Sequence, residues 1–167
     1  MVGIPKGGRR RPGDVRRRHK GDIMSVEKRS TVMSRIRGKN TGPELAIAEG
    51  LREHGVDWEG HAADLPGRPD FVFRSCRVAV FVDGDFWHGW RFPQWRDKLS
   101  EKWEAKIEST RRRDARNHGK LRRQGWRVVR IWEHQIWRSR DKCVRRIIEA
   151  LTDRRETCSG RRGMQKA

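Results

Sequence analysis

Residues 65–88, LPGRPDFVFRSCRVAVFVDGDFWH, leave the chain few choices of local structure. Pro69 and Asp70 open a short apolar run, Arg74 and Ser75 interrupt it, and a second run from Val78 closes on Asp83. Two such runs about a short polar turn read as paired strands over Asp70–Phe73 and Val78–Asp83. Proline, which has no N–H to give to a ladder, suits the first position of a strand or a sheet edge. The pairing carries Asp70 and Asp83 to strand ends, and Phe86, Trp87 and His88 follow at once. A carboxylate buried at such a place is costly unless it holds a cation or accepts hydrogen bonds. Asp83 precedes Gly84, so it reads equally as a plain Asp-Gly turn.

The flanking elements are legible by the same rules. Thr41-Gly-Pro-Glu44 has the form of a capping box, and Leu45, Ile47, Ala48 and Leu51 supply an apolar face. The spacing predicts a helix to about His54, stopped by Gly55. A long charged helix is expected over Asp97–Gln124, with Leu99, Trp103 and Ile107 four residues apart and Gly125 at its end. Arg127–Trp132 reads as a third strand, and Val144, Ile147, Ile148 and Leu151 mark the buried face of a last helix. Helix, strands, helix, strand, helix implies an α/β fold, with a small mixed central sheet flanked by helices.

Charge narrows the partners. The 167-residue chain carries 41 Lys and Arg against 22 Asp and Glu, a formal net charge of +19. Cations that displace counterions from a phosphate backbone give sequence-independent affinity, so a nucleic acid is the expected partner. Eight tryptophans argue against a merely solvated basic protein. Residues 1–22 hold eight Lys and Arg with almost no apolar content and read as a disordered basic arm. Residues 154–167 read as a disordered tail, which leaves 23–153 as one domain. Cys76, Cys143 and Cys158 are too scattered for a disulfide framework or a Cys-x-x-Cys zinc site. With no apolar run of membrane length and no secretory signal, the chain reads as a cytoplasmic, nucleoid-associated monomer.

Asp70 and Asp83 offer the hard oxygen atoms Mg²⁺ requires, and the backbone carbonyl of Val82 offers another. One or two carboxylates with substrate phosphate oxygens suffice for that ion, and one or two ions are compatible with the pattern. His88 is the only residue of the segment whose ordinary pKa suits a general base near neutrality. Adjacent aromatics point opposite ways, so Phe86 or Trp87 is available to wedge between bases. Glu44 reads first as a helix cap, and Asp114 as a charge partner in an arginine run facing phosphate. Arg68, Lys106, Arg111, Arg112 and Arg113 are the expected backbone contacts. A metal-dependent nuclease accounts for the set.

Five motifs together resemble the very-short-patch-repair (Vsr) DNA mismatch endonucleases. They are Asn40-Thr41-x-x-Glu44, Leu65-Pro-Gly-Arg-Pro-Asp-Phe-Val72, Gly84-x-Phe-Trp-His88, Arg113-Asp114 and Gly125-Trp-Arg-Val-x-x-x-Trp-Glu133. The resemblance implies a restriction-endonuclease-like fold and nicking beside the T of a T·G mismatch left by deamination of 5-methylcytosine. It further implies mismatched duplex DNA as substrate, with other mismatch-repair proteins and a resynthesising polymerase as companions. It assigns Asp70 and the Val82 carbonyl to the metal, His88 to catalysis, Glu44 to the metal's water shell and Asp114 to support of the histidine. Phe86 and Trp87 match the aromatics inserted beside the mismatch, and Met33 the methionine that wedges from the minor groove.

Two features depart from the family pattern. Where its best-known members hold a structural zinc, this chain has Asp85, Trp90, Phe92 and His134, so no zinc is expected. Trp90, Phe92 and Trp95 are then expected to hold the loop by packing. At position 83, where the family often has histidine, Asp83 becomes a candidate second carboxylate ligand. The competing readings are a nuclease of intron or restriction type acting on fully paired DNA, and a non-catalytic DNA-binding protein.

Overall fold

The computed structural model describes the chain from Lys39 to Gly163, with side chains described as far as Arg154. The expected basic arm and Met33 lie outside the described residues. Helix α1 spans Gly42–Glu53, strands β1, β2 and β3 span Glu59–Gly60, Phe71–Phe73 and Val78–Asp83, and α2 is a short turn of helix at Phe92–Trp95. After a 3₁₀ turn at Arg96–Lys98 come α3 (Glu101–Arg123), β4 (Arg127–Trp132), α4 (Glu133–Arg138) and α5 (Arg140–Gly163). The sheet order is β1-β2-β3-β4, antiparallel except for the parallel β3·β4 pair that α3 connects. The small mixed sheet flanked by helices is present as expected.

β3 is the central strand, and its alternation divides the core. Val78 and Val80 join Phe71, Phe73, Val129 and Ile131 against Ile47 and Leu51 of α1, Ile136 of α4 and Val144 and Ile147 of α5. Ala79 and Phe81 point to the other face and meet Leu121 of α3. A strand covered on both faces is apolar at successive positions, which is why Val78–Phe81 shows no polar alternation. Each fully buried aliphatic side chain contributes about 1.5–3 kcal/mol. α1 and α5 cross closely: a Cβ at Gly50 would lie 2.5 Å from Val144 Cγ2.

Four local expectations change. Leu45, expected on the apolar face of α1, is 52% exposed. The long helix begins at Glu101, because Leu99 turns inward to pack with Phe92 and Ile107 and Ser100 precedes the helix in an extended conformation. The last helix begins at Arg140, after the separate short α4, and runs past the expected boundary at Asp153 to Gly163. β1 is not legible in the sequence, since Glu59 and Gly60 have no apolar alternation. It is fixed by Arg74, whose guanidinium contacts Glu59 at 2.5 and 2.8 Å and Asp64 at 2.9 and 3.0 Å. Among the described residues, no helix is long and apolar enough to cross a membrane.

Candidate active site

Leu65-Pro66-Gly67-Arg68 makes a tight turn, with the Arg68 amide donating to the Leu65 carbonyl at 3.0 Å and Gly67 at φ +84°. Proline followed by glycine meets the conformational demands of a type II turn. The turn delivers buried Pro69 and then Asp70, whose amide donates to the Val80 carbonyl at 2.9 Å. Asp70 therefore sits just ahead of β2 rather than within it. Its Oδ2 accepts the Val82 amide at 2.7 Å. The N–H and C=O of one strand residue leave on the same edge, so the Val82 carbonyl also emerges on the Asp70 side. Burial pushes the Asp70 carboxyl up to about 7; the Val82 amide opposes this, and the charges of Glu44 and Asp83 add to it.

Glu44 closes the helix entrance, but not in the form of a standard capping box. Its Oε2 accepts the Asn40 amide and its Oε1 the Thr41 hydroxyl, both at 2.8 Å, so Thr41 donates to the carboxylate instead of capping the helix amides. The carboxylate is thereby held at the start of α1 beside Asp70. Between the two lies His61, which sequence reasoning did not select. Its Nε2 is 3.5 Å from Glu44 Oε2 and its Nδ1 3.7 Å from Asp70 Oδ1. The only available signal was the return of the chain at Pro66-Gly67, because the β1·β2 pairing that aligns His61 with Asp70 is too short to read.

A second group forms where α3 crosses the sheet. Ile107, Asp114, His118 and Leu121 are the buried residues of α3, spaced to share one helix face. Asp114 thus occupies the phase of the apolar stripe, a signal that it faces inward and is more than a surface charge partner. Its Oδ2 lies 2.7 Å from His88 Nδ1, and Asp83 Oδ1 lies 3.2 Å from the same nitrogen. Burial is the largest influence on His88 and acts to lower its pKa, but Asp114 and Asp83 outweigh it and hold the imidazole above its usual value. Asp114 is held below the ordinary carboxylate value: burial opposes this, and the His88 and Arg113 contacts overcome it. Asp83 is 3% exposed, and its Oδ2 accepts Arg130 Nε at 2.5 Å. Although Asp83 shares the cleft with Asp70, both its oxygens are engaged on the α3 side of the sheet.

Both groups open on one cleft of about 720 Å³, lined also by Arg68, Trp87 and Glu133. The two aromatics do not point opposite ways as expected: their rings pack edge to face at 5.1 Å, and both touch Trp103. Phe86 stacks on Trp95 at 5.7 Å and joins the Phe92–Leu99–Ile107 cluster, while Trp87 rests on Trp103 and reaches the cleft. Lys106, Arg111, Arg112 and Arg113 are exposed along α3. On the other side of His88 a hollow of about 500 Å³ is walled by Trp90, Arg91, Arg111, Arg130 and Trp132. The loop between β3 and α2 is pinned by His134 Nδ1 against Asp85 Oδ1 at 2.7 Å and by Trp90 against both His134 and Trp132. Trp95 Nε1 donates to the Trp90 carbonyl at 2.6 Å, and Phe92 is fully buried.

Residues 21–94 match the family model described as DNA mismatch endonuclease Vsr. The chain is 35% identical to the type II nicking enzyme V.NmeDIP of Neisseria meningitidis serogroup C, over 80% of this chain and 92% of that protein. It is 41% identical to the type II nicking enzyme V.XorIIP of Xanthomonas oryzae pv. oryzae, over 69% and 86% of the two chains. With the DNA mismatch endonuclease Vsr of Escherichia coli K12 the identity is 36%, over 81% and 85%. Matches of this extent leave one assignment for the mixed open sheet and its cleft: the chain belongs to the Vsr family of endonucleases, with a restriction-endonuclease-like fold.

Proposed function

We propose that this endonuclease nicks one strand of duplex DNA beside the T of a T·G mismatch, by Mg²⁺-dependent phosphodiester hydrolysis. The observation that carries the reading is the meeting of two unlike groups in one cleft. Asp70 is a partly buried carboxylate whose ionisation is resisted until about pH 7, and His88 is an imidazole oriented by two carboxylates. A divalent cation fits the first group: the donors are hard oxygens, and a positive charge would relieve the mutual repulsion of Glu44, Asp70 and Asp83. Asp70 and the Val82 carbonyl are the residues to hold it, with Glu44 beside them. When bound, the cation would neutralise charge on the phosphate oxygens as the transition state forms.

The chain's own residues supply the rest. His88 Nδ1 is occupied by Asp114 and Asp83, which leaves Nε2 as the atom that takes a proton from the attacking water. Asp114 and Asp83 fix the ring and stabilise the imidazolium that results. Exposed Arg68, Lys106, Arg111, Arg112 and Arg113 and the Arg-rich hollow behind His88 provide the path for the DNA backbone. Trp87 lines the cleft with Phe86 packed edge to face against it, which supports Trp87 as the residue that enters the base stack. A wobble pair stacks less well than a matched one and costs less to open. The names of the relatives, nicking enzymes and a mismatch endonuclease, favour a single-strand cut at a mismatch over cleavage of fully paired DNA.

Incubation with Mg²⁺ and end-labelled duplexes, matched or carrying T·G in varied contexts, tests this reading. Nicks confined to the T-bearing strand of the mismatched duplex are expected. Equal cutting of matched duplex would move the protein to the restriction-type reading.

A further inference from the structure

Of the two histidine–carboxylate groups in the cleft, one is closed by hydrogen bonds and the other is not. In the Asp83–His88–Asp114 group the nitrogen lies 3.2 and 2.7 Å from its partners, distances that a shared proton satisfies. In the Glu44–His61–Asp70 group the separations are 3.5 and 3.7 Å, too long for good hydrogen bonds. Yet donor atoms of all three residues lie within 4.8 Å of one another. Around a cation with bonds of about 2.1 Å, adjacent donors are about 3 Å apart and opposite ones about 4.2 Å. The 3.5 and 3.7 Å separations fall between these values but use different ring nitrogens, so for one nitrogen and both carboxylates to share an ion the group would have to contract from its 4.8 Å limit, by about half an ångström.

The backbone places His61 there at a cost. The residue has φ +51°, and its amide donates to the Asp70 carbonyl at 3.3 Å. A left-handed conformation at a non-glycine residue is strained and persists only where its surroundings impose it. Here the β1·β2 pairing, Gly60 opposite Phe71, imposes it and aims the ring between two carboxylates. The ring is also 21% exposed, so a hydrated ion can reach it from the cleft.

We propose that His61 supplies a nitrogen ligand to the divalent cation held by Asp70, so that this site prefers Mn²⁺ or Co²⁺ to Mg²⁺. The inference rests on the assignment of Asp70 as a metal ligand. Its chemical ground is ligand character: carboxylate and carbonyl oxygens suit Mg²⁺ and Mn²⁺ alike, whereas an imidazole favours the transition ion. Mg²⁺ remains a competent ion through the oxygen donors, but His61 contributes less to its binding. The site thus discriminates among cations through a residue that takes no part in proton transfer.

The full chain loaded with Mn²⁺ provides a readout independent of cleavage. Electron spin-echo modulation from a directly bound ¹⁴N nucleus is expected in the wild type and in His88→Ala, and its loss in His61→Gln. Titrations followed by electron paramagnetic resonance should show His61→Gln binding Mn²⁺ about tenfold more weakly, with Mg²⁺ competition changed less. Unchanged circular dichroism of His61→Gln would confirm that the fold is intact. Bound Mn²⁺ without nitrogen modulation in the wild type would overturn the role of His61 and leave Asp70 standing. Loss of the modulation in His88→Ala alone would also overturn it, by making His88 the ligand. If Asp70→Ala binds Mn²⁺ as well as the wild type, the Asp70 assignment fails and this inference falls with it.

Discussion

Replacing Asp70 with asparagine is expected to abolish nicking and, in the absence of metal, to stabilise the fold. In the folded chain the Asp70 carboxyl ionises at about 7, against an ordinary value of 3.8. A carboxyl raised in this way destabilises the folded state as it ionises. The penalty is absent below the unfolded value, grows as pH rises between the two values, and is constant above about pH 7. At about 1.4 kcal/mol per pH unit of separation, the full penalty is about 4 kcal/mol. Residual solvent contact at a side chain 19% exposed lowers the expected figure, to about 2–3 kcal/mol. The asparagine side chain would keep an oxygen to accept the Val82 amide without carrying the charge. For a chain of this size each kcal/mol moves Tm by about 2–4 °C, so a gain of about 5–10 °C is expected at pH 8 with chelator present. Calorimetry at pH 8 and pH 4.5 checks both the size and the sign, since the gain should shrink severalfold at the lower pH. Added Mn²⁺ should raise the Tm of wild type and leave the Asp70→Asn variant unmoved. A variant no more stable than wild type at pH 8, or equally stabilised at both pH values, would refute the argument that this carboxylate is buried against its own charge.

Four other substitutions probe the remaining parts. His88→Ala should cost about 10²–10⁴-fold in nicking rate. Because His88 must be neutral to accept a proton and its pKa is raised, wild-type activity should climb with pH through a value above 6.5; Asp83→Asn should shift that limb to lower pH, and an unmoved limb would remove Asp83 from the histidine's support. Gly89→Ala places a Cβ 2.7 Å from Arg111 Cδ and 3.0 Å from Ile107 Cγ2 at φ +68°, and should lower stability by about 1–3 kcal/mol in urea unfolding. Trp87→Ala should weaken binding to T·G duplex more than to matched duplex at one fixed salt concentration; equal losses would make Trp87 a packing residue only.

Much of this architecture is present in the sequence because it depends on local rules. The turn at Pro66-Gly67, the paired runs ending at Asp70 and Asp83, the Thr41–Glu44 helix entrance and the Gly125 stop each follow from backbone preferences of a few neighbouring residues. His88 stands out by chemistry, and Asp114 by adjacency to arginines and by family resemblance; the stripe phase of α3 supplies the physical reason. What tertiary structure alone decided was pairing across distance. Arg130 reaches Asp83 because β4 lies parallel to β3 with Phe81 opposite Arg130, a register no local pattern reveals. That contact and His88 occupy both oxygens of Asp83, whereas sequence spacing left it a candidate metal ligand. His61 belongs to the site only because a two-residue strand, held by Arg74, returns the chain to Asp70. Short-range preference sets where helices, strands and turns begin and end, but which charge meets which depends on strand register and helix phase, and these are fixed by packing over the whole core.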